Sequence, residues 1–494
     1  MSIASIDIGT TGCKIAVYDG GGARFHAYRE YPAARSRSEH EVDPRAIWQA
    51  VRALIREAAQ AVPDIRGVGV SSFGESFAVL DADDEPLMEV MLYTDPRGVE
   101  ECAEISEALG ARRVAGITGA MPHPMYSLSK LLWVRRNRPG LWEKARAILL
   151  MQDYVVYMLT GVRQIDYSLA SRTMALDIAK KEWSREMLGY AGIDPALLSK
   201  PVPSGTAAGP VREELREALG LPAEAVVVSC CHDQVAAAVG AGVFEGGVAV
   251  DGAGTTQCVT PVFQSVTNPE VMYEGSYAVV PFAAGDLYAT YAFSFTGGAL
   301  VKWFADQLAG NARAEAAQSG ESIYRAIERN MGIEGPTGIC VLPHFAGAGT
   351  PYMDPGAKGV VTGLTIEHSM TDFYKAVLEG VAYEMRVNVE KLREAGIEIK
   401  RLHATGGGAK SGKWLQIKAD ILGLPIDSLG DSEAGIIGSI LLTGVAAGAF
   451  SSLAEGSKAL VRKLGTYEPD PARHRAYDGV YRRYRALYAA NRNL

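Results

Sequence analysis

A surplus of positive charge is missing from this chain: 49 Lys and Arg stand against 57 Asp and Glu, a formal charge of −8. That balance argues against nucleic acid or an anionic membrane as the main partner, although local donors can still hold phosphate groups. Cysteine is scarce as well, with six in 494 residues: Cys13, Cys102, Cys230, Cys231, Cys258 and Cys340. None makes a C-x-x-C pair, and no spacing among them fits a zinc site. The opening "MSIASIDIG" carries Asp7 and no basic stretch, so it does not read as a secretory signal. A reducing cytoplasm is the expected compartment. A G-x-G-x-x-G turn between strand and helix, with a ribose-binding acid after it, is also lacking, which sets aside a dinucleotide-dependent dehydrogenase.

Charge is absent for one long stretch, residues 434–454, "AGIIGSILLTGVAAGAFSSLA". Its length would span a bilayer. Its content of Gly, Ala, Ser and Thr, and the lack of a basic flank after it, favour a helix buried between two lobes. Gly444 and Gly448 are its candidates for close backbone approach. What remains is ordinary for a globular protein, with 48% hydrophobic and 21% charged residues. The length suggests roughly two to four domains.

Two short stretches echo each other: "DIGTTGCK" at 7–14 and "DGAGTTQ" at 251–257. Both read as strand, tight turn, strand. After the first come a helix at 44–62 with Asp43 as its cap, a strand–loop–strand at 65–81, a helix at 127–145 broken at Pro139-Gly140, and a strand entering a small-residue helix near 233. The second half repeats this grammar, with a long amphipathic helix from Ser369 onward and a glycine turn at 406–408. This is the duplication of a whole α/β domain rather than a short repeat. Two such lobes, 1–243 and 244–494, would form a cleft, with one Gly-Thr-Thr turn from each lobe. The last segment, "RHRAYDGVYRRYRALYAANRNL", reads as a helix that packs back onto a lobe. The domain plan puts it on the first.

The turns suggest phosphate chemistry. Glycine lets backbone N–H groups approach a phosphate, and Thr hydroxyls add donors. Asp7 can hold Mg²⁺, directly or through water, and Lys14 can neutralise charge. "GGAKSGK" at 407–413 looks like a phosphate loop but continues with Trp414, so the metal-binding hydroxyl is missing. A glycine turn against a flat base is the better reading. Asp233, just past a strand, is either a general base for a hydroxyl or a helix cap, and both stay open on the residues alone. His232 beside it reads as packing.

These residues resemble the FGGY carbohydrate kinases over essentially the full chain. The stretches "MYSLSKLLWVRRN" (125–137) and "GVVTGLTIEHSMTDFYKAVLE" (359–379) are similar to that family's signatures position by position. The resemblance implies an α/β fold of two duplicated actin-like (RNase H-like) ATPase domains, with ATP and Mg²⁺ in the cleft between them. It implies Asp7, Thr10, Thr11 and Lys14 for the metal and phosphates, then Gly254, Thr255 and Thr256 from the second turn. Gly407, Gly408 and Gln416 would lie near the base or ribose. Asp233 would be the catalytic base and Gln234 a substrate contact. The N-terminal lobe would hold the sugar site and base, and the C-terminal lobe the nucleotide. The small-residue helices at 233–242 and 434–448 would be crossing connectors at a hinge.

The acceptor is less legible. Xylulose kinases read "GQMHG" where this chain reads "SFGES" (72–76), and glycerol kinases read "NQRET". Glu75 agrees with the second and Gly74 with neither. Phe73, Gly74, Glu75, Asp95 and Arg97 are the substrate-side candidates, and Phe77 and Tyr93 could flank a sugar face. A buried Glu75 would need hydroxyls to balance it, which favours a neutral ketose or polyol over a sugar acid. A pentulose such as xylulose is the first expectation; glycerol, a tetritol or gluconate are the alternatives. A different class, an actin-like ATPase switch with a protein partner, fits the phosphate turns but has no need of Glu75, Asp95 and Asp233. No nucleic acid and no membrane are expected as partners, and a homodimer is admitted without being required.

Overall fold

The apolar run before the first Gly-Thr-Thr turn forms the strand Ser2–Ile8, which returns antiparallel as Gly12–Asp19. The computed structural model describes residues 1–20, 22–430 and 433–492. The chain divides into two compact units. The first comprises Met1–Phe244, Ala278–Ala289 and Glu433–Val461; the second comprises Glu245–Tyr277, Thr290–Ser432 and Arg462–Leu494.

In the first unit the sheet order is Thr206–Pro210, Val226–His232, Ile65–Ser72, Ser2–Ile8, Gly12–Asp19, Gly22–Glu30. Val226–His232, Ile65–Ser72 and Ser2–Ile8 are mutually parallel, and the outer strands are antiparallel to their neighbours. The parallel strands are covered on both faces, which is why "VVVSCCH" and "IRGVGVSS" read as near-continuous small and apolar runs. The second unit repeats the plan. Val248–Ala253 turns back antiparallel as Gln257–Phe263 and lies parallel to Arg401–Thr405, itself parallel to Ile426–Leu429, with Lys463–Tyr467 antiparallel at the edge. The duplication read from the twin turns is thus a duplication of sheet topology.

Helix ends follow their capping residues. Asp43 accepts from Arg45 N at 2.8 Å to open Pro44–Ala61. Ser369 and Asp372 form a capping box at the start of Met370–Glu394. The break at Pro139 separates Ser127–Asn137 from Pro139–Trp142.

The uncharged stretch forms the helix Ala434–Ala446, within the first unit. No helix among the described residues is long and apolar enough to cross a membrane. It crosses Asp233–Gly240 at backbone contact: a Cβ on Gly240 would lie 1.8 Å from Ala434 O, and one on Gly438 would lie 1.9 Å from Ala236 O. Gly438 and Gly240 therefore make the close approach expected of Gly444 and Gly448. Gly444 faces the ring of Phe450 and Gly448 faces open space.

The C-terminal helix Pro471–Asn491 packs within the second unit, which corrects its expected place on the first. Its buried face of Tyr477, Tyr481 and Tyr484 finds acceptors on Met370–Glu394: the three hydroxyls donate to Glu379, Glu390 and Glu384.

Candidate active site

Three adjacent parallel strands of the first unit end together, with Ile8 beside Ser72 and Ser72 beside His232. The carboxyl edge of a parallel sheet is where α/β proteins place ligands. Asp7 is the register partner of Lys14 across the hairpin, and Lys14 Nζ lies 3.2 Å from Asp7 Oδ2. Lys14 also reaches Glu433 at 3.0 Å. Thr10 and Thr11 sit on the turn, half-buried and exposed, and Gly9 N donates to Gly12 O at 2.9 Å. Gly12 has to be glycine, since a Cβ there would lie 2.6 Å from Arg29 O.

Asp233 opens the helix Asp233–Gly240, its side chain 38% exposed. Partial loss of water pushes its carboxyl up to about 6, against the Gln234 amide and side chain and the charges of Arg172 and Lys14. Asp7 is also pushed up to about 6, first by burial and further by the charge of Asp233, with Lys14 opposing. Two partly shielded carboxylates that repel each other, beside one lysine, fit a divalent cation. His232 Nε2 lies 3.3 Å from Asp233 Oδ1, but burial first, then Arg172, drives the imidazole down to about 3, so it is neutral.

Glu75 is buried in a left-handed conformation, φ 67°. Arg172 Nε donates to its Oε1 at 2.6 Å, and the guanidinium lies 5.0 Å over the ring of Tyr126. Arg172, which carried no local sequence signal, supplies the counterion for Glu75. Gly74 is glycine because the arginine stem runs across it, with Arg172 Cγ 2.9 Å from where a Cβ would be. Tyr93 is 41% exposed, and burial first, then the charges of Glu75 and Asp233, push its hydroxyl up.

The other acceptor-side candidates have partners within the protein. Phe73 packs in the core with Ile8 and Ile47, and Phe77 packs with Leu128 and Leu131. Both rings are almost fully buried. Asp95 and Arg97 are engaged with each other: Asp95 Oδ1 accepts from Arg97 N at 3.0 Å and Nε at 2.8 Å, and Oδ2 accepts from His40 N at 2.7 Å. Arg97 also donates to Glu41. Buried Lys130 donates to the carbonyls of Asp95, Arg97 and Pro124 at 2.9, 3.3 and 2.7 Å. These groups brace the loop that carries Tyr93. Gln234 is exposed and bonds Asp233, so it accompanies that carboxylate.

In the second unit, Val248–Ala253 and Arg401–Thr405 end side by side, with Gly252 next to Thr405. The turns after them line a cavity of about 960 Å³ together with Trp303, Tyr324, Glu328 and Trp414. Gly254, Thr255, Gly407 and Gly408 all face it. Gly406 takes φ +82° and comes so close to Ala253 O that a Cβ would lie 2.7 Å from it. Thr256 closes the turn, its carbonyl accepting from Gly254 N at 3.1 Å. Gln416 is not among the lining residues. Its amide donates to Asp420 Oδ1 at 3.0 Å and Glu468 O at 2.8 Å. Lys413 is no phosphate lysine either, since Nζ donates to Glu328 O at 2.6 Å and Met331 O at 2.7 Å. Lys302, Asp306 and Arg325 on the wall carried no local sequence signal.

The N-terminal domain model of the FGGY family of carbohydrate kinases matches residues 2–240, and the C-terminal domain model matches 253–447. The chain belongs to this family. It is therefore a sugar kinase, an ATP-using phosphotransferase, and its two-domain α/β fold is that of the family. Xylulose kinase of Bacillus subtilis is 26% identical over 498 residues, covering 100% of this chain and 97% of that protein. Glycerol kinase of Symbiobacterium thermophilum is 29% identical over 499 residues, covering 97% and 96%. The solved structure of a xyloylose kinase from Brucella ovis aligns with a TM-score of 0.88 at 29% identity, over 99% of each chain.

Proposed function

We propose that this kinase transfers the γ-phosphate of ATP to a terminal hydroxyl of a small ketose or polyol, with a pentulose such as xylulose as the leading acceptor. The observation that carries this reading is the pair Asp233 and Glu75–Arg172 on neighbouring strand ends: a half-exposed carboxylate pushed up to about 6 beside a buried ion pair. Asp233 takes the hydroxyl proton as the acceptor oxygen bonds to phosphorus and ADP leaves. A base near neutrality suits a loose phosphoryl transfer, which asks for positioning more than for strong basicity. Glu75, its charge balanced by Arg172, accepts from acceptor hydroxyls, and Tyr93 offers a ring edge to the carbon chain. Asp7 would hold Mg²⁺, and the metal would supply charge neutralisation for the phosphates.

The xylulose and glycerol kinases among the relatives support a neutral acceptor. The phosphate-side residues Gly254, Thr255, Gly407 and Gly408 hold the nucleotide, since a cavity walled by glycine turns and indole rings suits phosphates and a flat base. The test is an ADP-release screen over ketoses, polyols and sugar acids. The expected result is turnover with a ketopentose or a short polyol. Turnover with gluconate alone would reject the neutral-acceptor reading, and ATP hydrolysis that no sugar stimulates would favour a nucleotide switch.

A further inference from the structure

Asp251 in the second turn answers Asp7 in the first, yet the two carboxylates have different surroundings. Asp7 keeps 17% of its side chain exposed, whereas Asp251 is 0% exposed. Lys418, equally buried, donates from Nζ to both Asp251 oxygens at 2.9 and 2.8 Å and to Gln257 Oε1 at 3.1 Å. Gln257 Nε2 donates to Asp251 Oδ1 at 2.5 Å. The two acceptors lie on opposite sides of the Gly254–Thr256 turn: Asp251 on the strand entering it, Gln257 on the strand leaving it. The same ammonium sits 4.4 Å over the ring of Trp414. That indole lines the cavity, donates from Nε1 to Leu378 O at 3.2 Å and lies against Gly408.

Burying both charges carries a desolvation cost that an apolar pair of similar volume would avoid, so stability alone is a poor reason for this pair. Fixed geometry is a better one. One cation grips both strands beneath the phosphate turn and the wall opposite it. We propose that Lys418 is a positioning residue for the nucleotide, holding the Gly254–Thr256 turn in register with the Trp414 wall through Asp251 and Gln257. This rests on reading the second-unit cavity as the ATP site.

The experiment uses the full chain: wild type, Lys418→Met, Asp251→Asn and the double variant, with ADP affinity measured by calorimetry, acceptor KM by ADP release, and melting temperature alongside. Lys418→Met is expected to weaken ADP binding by about tenfold or more, with the acceptor KM changed less than about twofold. The double variant, which buries no charge, is expected to recover the melting temperature and still bind ADP weakly. It keeps the test alive if a single variant does not fold. Wild-type ADP affinity in Lys418→Met or in the double variant, with only the melting temperature moved, overturns the proposal. A wild type that binds no ADP overturns the reading of the cavity and this inference with it, and that result is separate because it comes before any variant.

Discussion

Lys14 faces Asp7 across the first hairpin, Nζ 3.2 Å from Oδ2, because the two are register partners on adjacent strands. Side chains opposite each other on one face of an antiparallel pair are within reach by geometry alone. The pair places a cation next to the carboxylate that the phosphates and metal would approach, and Glu433 steadies the ammonium from the other side. Asp7→Asn should therefore abolish most turnover while leaving ADP affinity, which the proposed nucleotide site in the second unit would supply, close to that of wild type. Calorimetry with ADP and a coupled assay check this, and loss of ADP binding in the variant would contradict it.

Asp233 supplies the pH dependence. Its carboxyl is pushed up to about 6, and a base works only when deprotonated, so kcat/KM should fall as pH drops below about 6. Asp233→Asn should lower kcat by about 10²- to 10⁴-fold and remove that acid limb, with ADP affinity unchanged. A near-normal kcat would remove Asp233 from the base role.

Glu75 and Arg172 form a buried ion pair, so removing either partner leaves a charge without its counterion. Glu75→Ala should raise the acceptor KM with ATP KM little changed, and should destabilise the first unit by about 3–5 kcal/mol. Arg172→Met should do the same. Glu75→Gln keeps the shape and hydrogen-bonding capacity, and separates binding from folding. An acceptor KM that stays at the wild-type value in Glu75→Gln, once folding is confirmed by melting, would take Glu75 out of the acceptor site.

The sequence shows most where partners are close along the chain. The hairpins, the strand-to-helix junction at Asp233 and the capped helix starts are local, and each was readable from spacing and turn chemistry. Arg172 was not, because it meets Glu75 across 97 positions and comes from an unrelated helix end. Lys418 meets Asp251 across 167. Asp95 and Arg97, singled out through the family resemblance, bond each other two positions apart, a contact that their spacing does not announce. The uncharged helix at 434–446 was read correctly as buried, but which glycine makes the contact depends on Gly240 of another helix, and its own composition carries no trace of that.

That crossing is testable. Gly438→Ala or Gly240→Ala would drive a methyl into a backbone carbonyl, with overlap at 1.9 and 1.8 Å, so the two helices must part. Overpacking of this kind costs about 1–3 kcal/mol, and more where backbone is struck. Melting temperature should fall by several degrees in each variant, while Gly448→Ala, which has no neighbouring atoms but a left-handed backbone, should fall less. Equal losses at all three positions would argue that conformation rather than the crossing governs the effect.

Asp153 gives a stability signature separate from catalysis. It is buried on the helix Met151–Thr160 and accepts from Ser199 Oγ at 2.6 Å. Burial, the largest influence, pushes its carboxyl from the ordinary 3.8 up to about 8, and the hydrogen bonds oppose this only in part. The folded chain thus holds a proton there that the unfolded chain has released, so the folded state binds more protons between those values. By linkage, that contribution to stability is fully present below pH 3.8 and is lost as pH rises through about 8. Asp153→Asn, which is neutral at every pH, should melt above wild type by a margin that grows from pH 5 to pH 9. A difference in melting temperature that does not grow between the two pH values would mean that Asp153 is already ionised in the folded protein at pH 5.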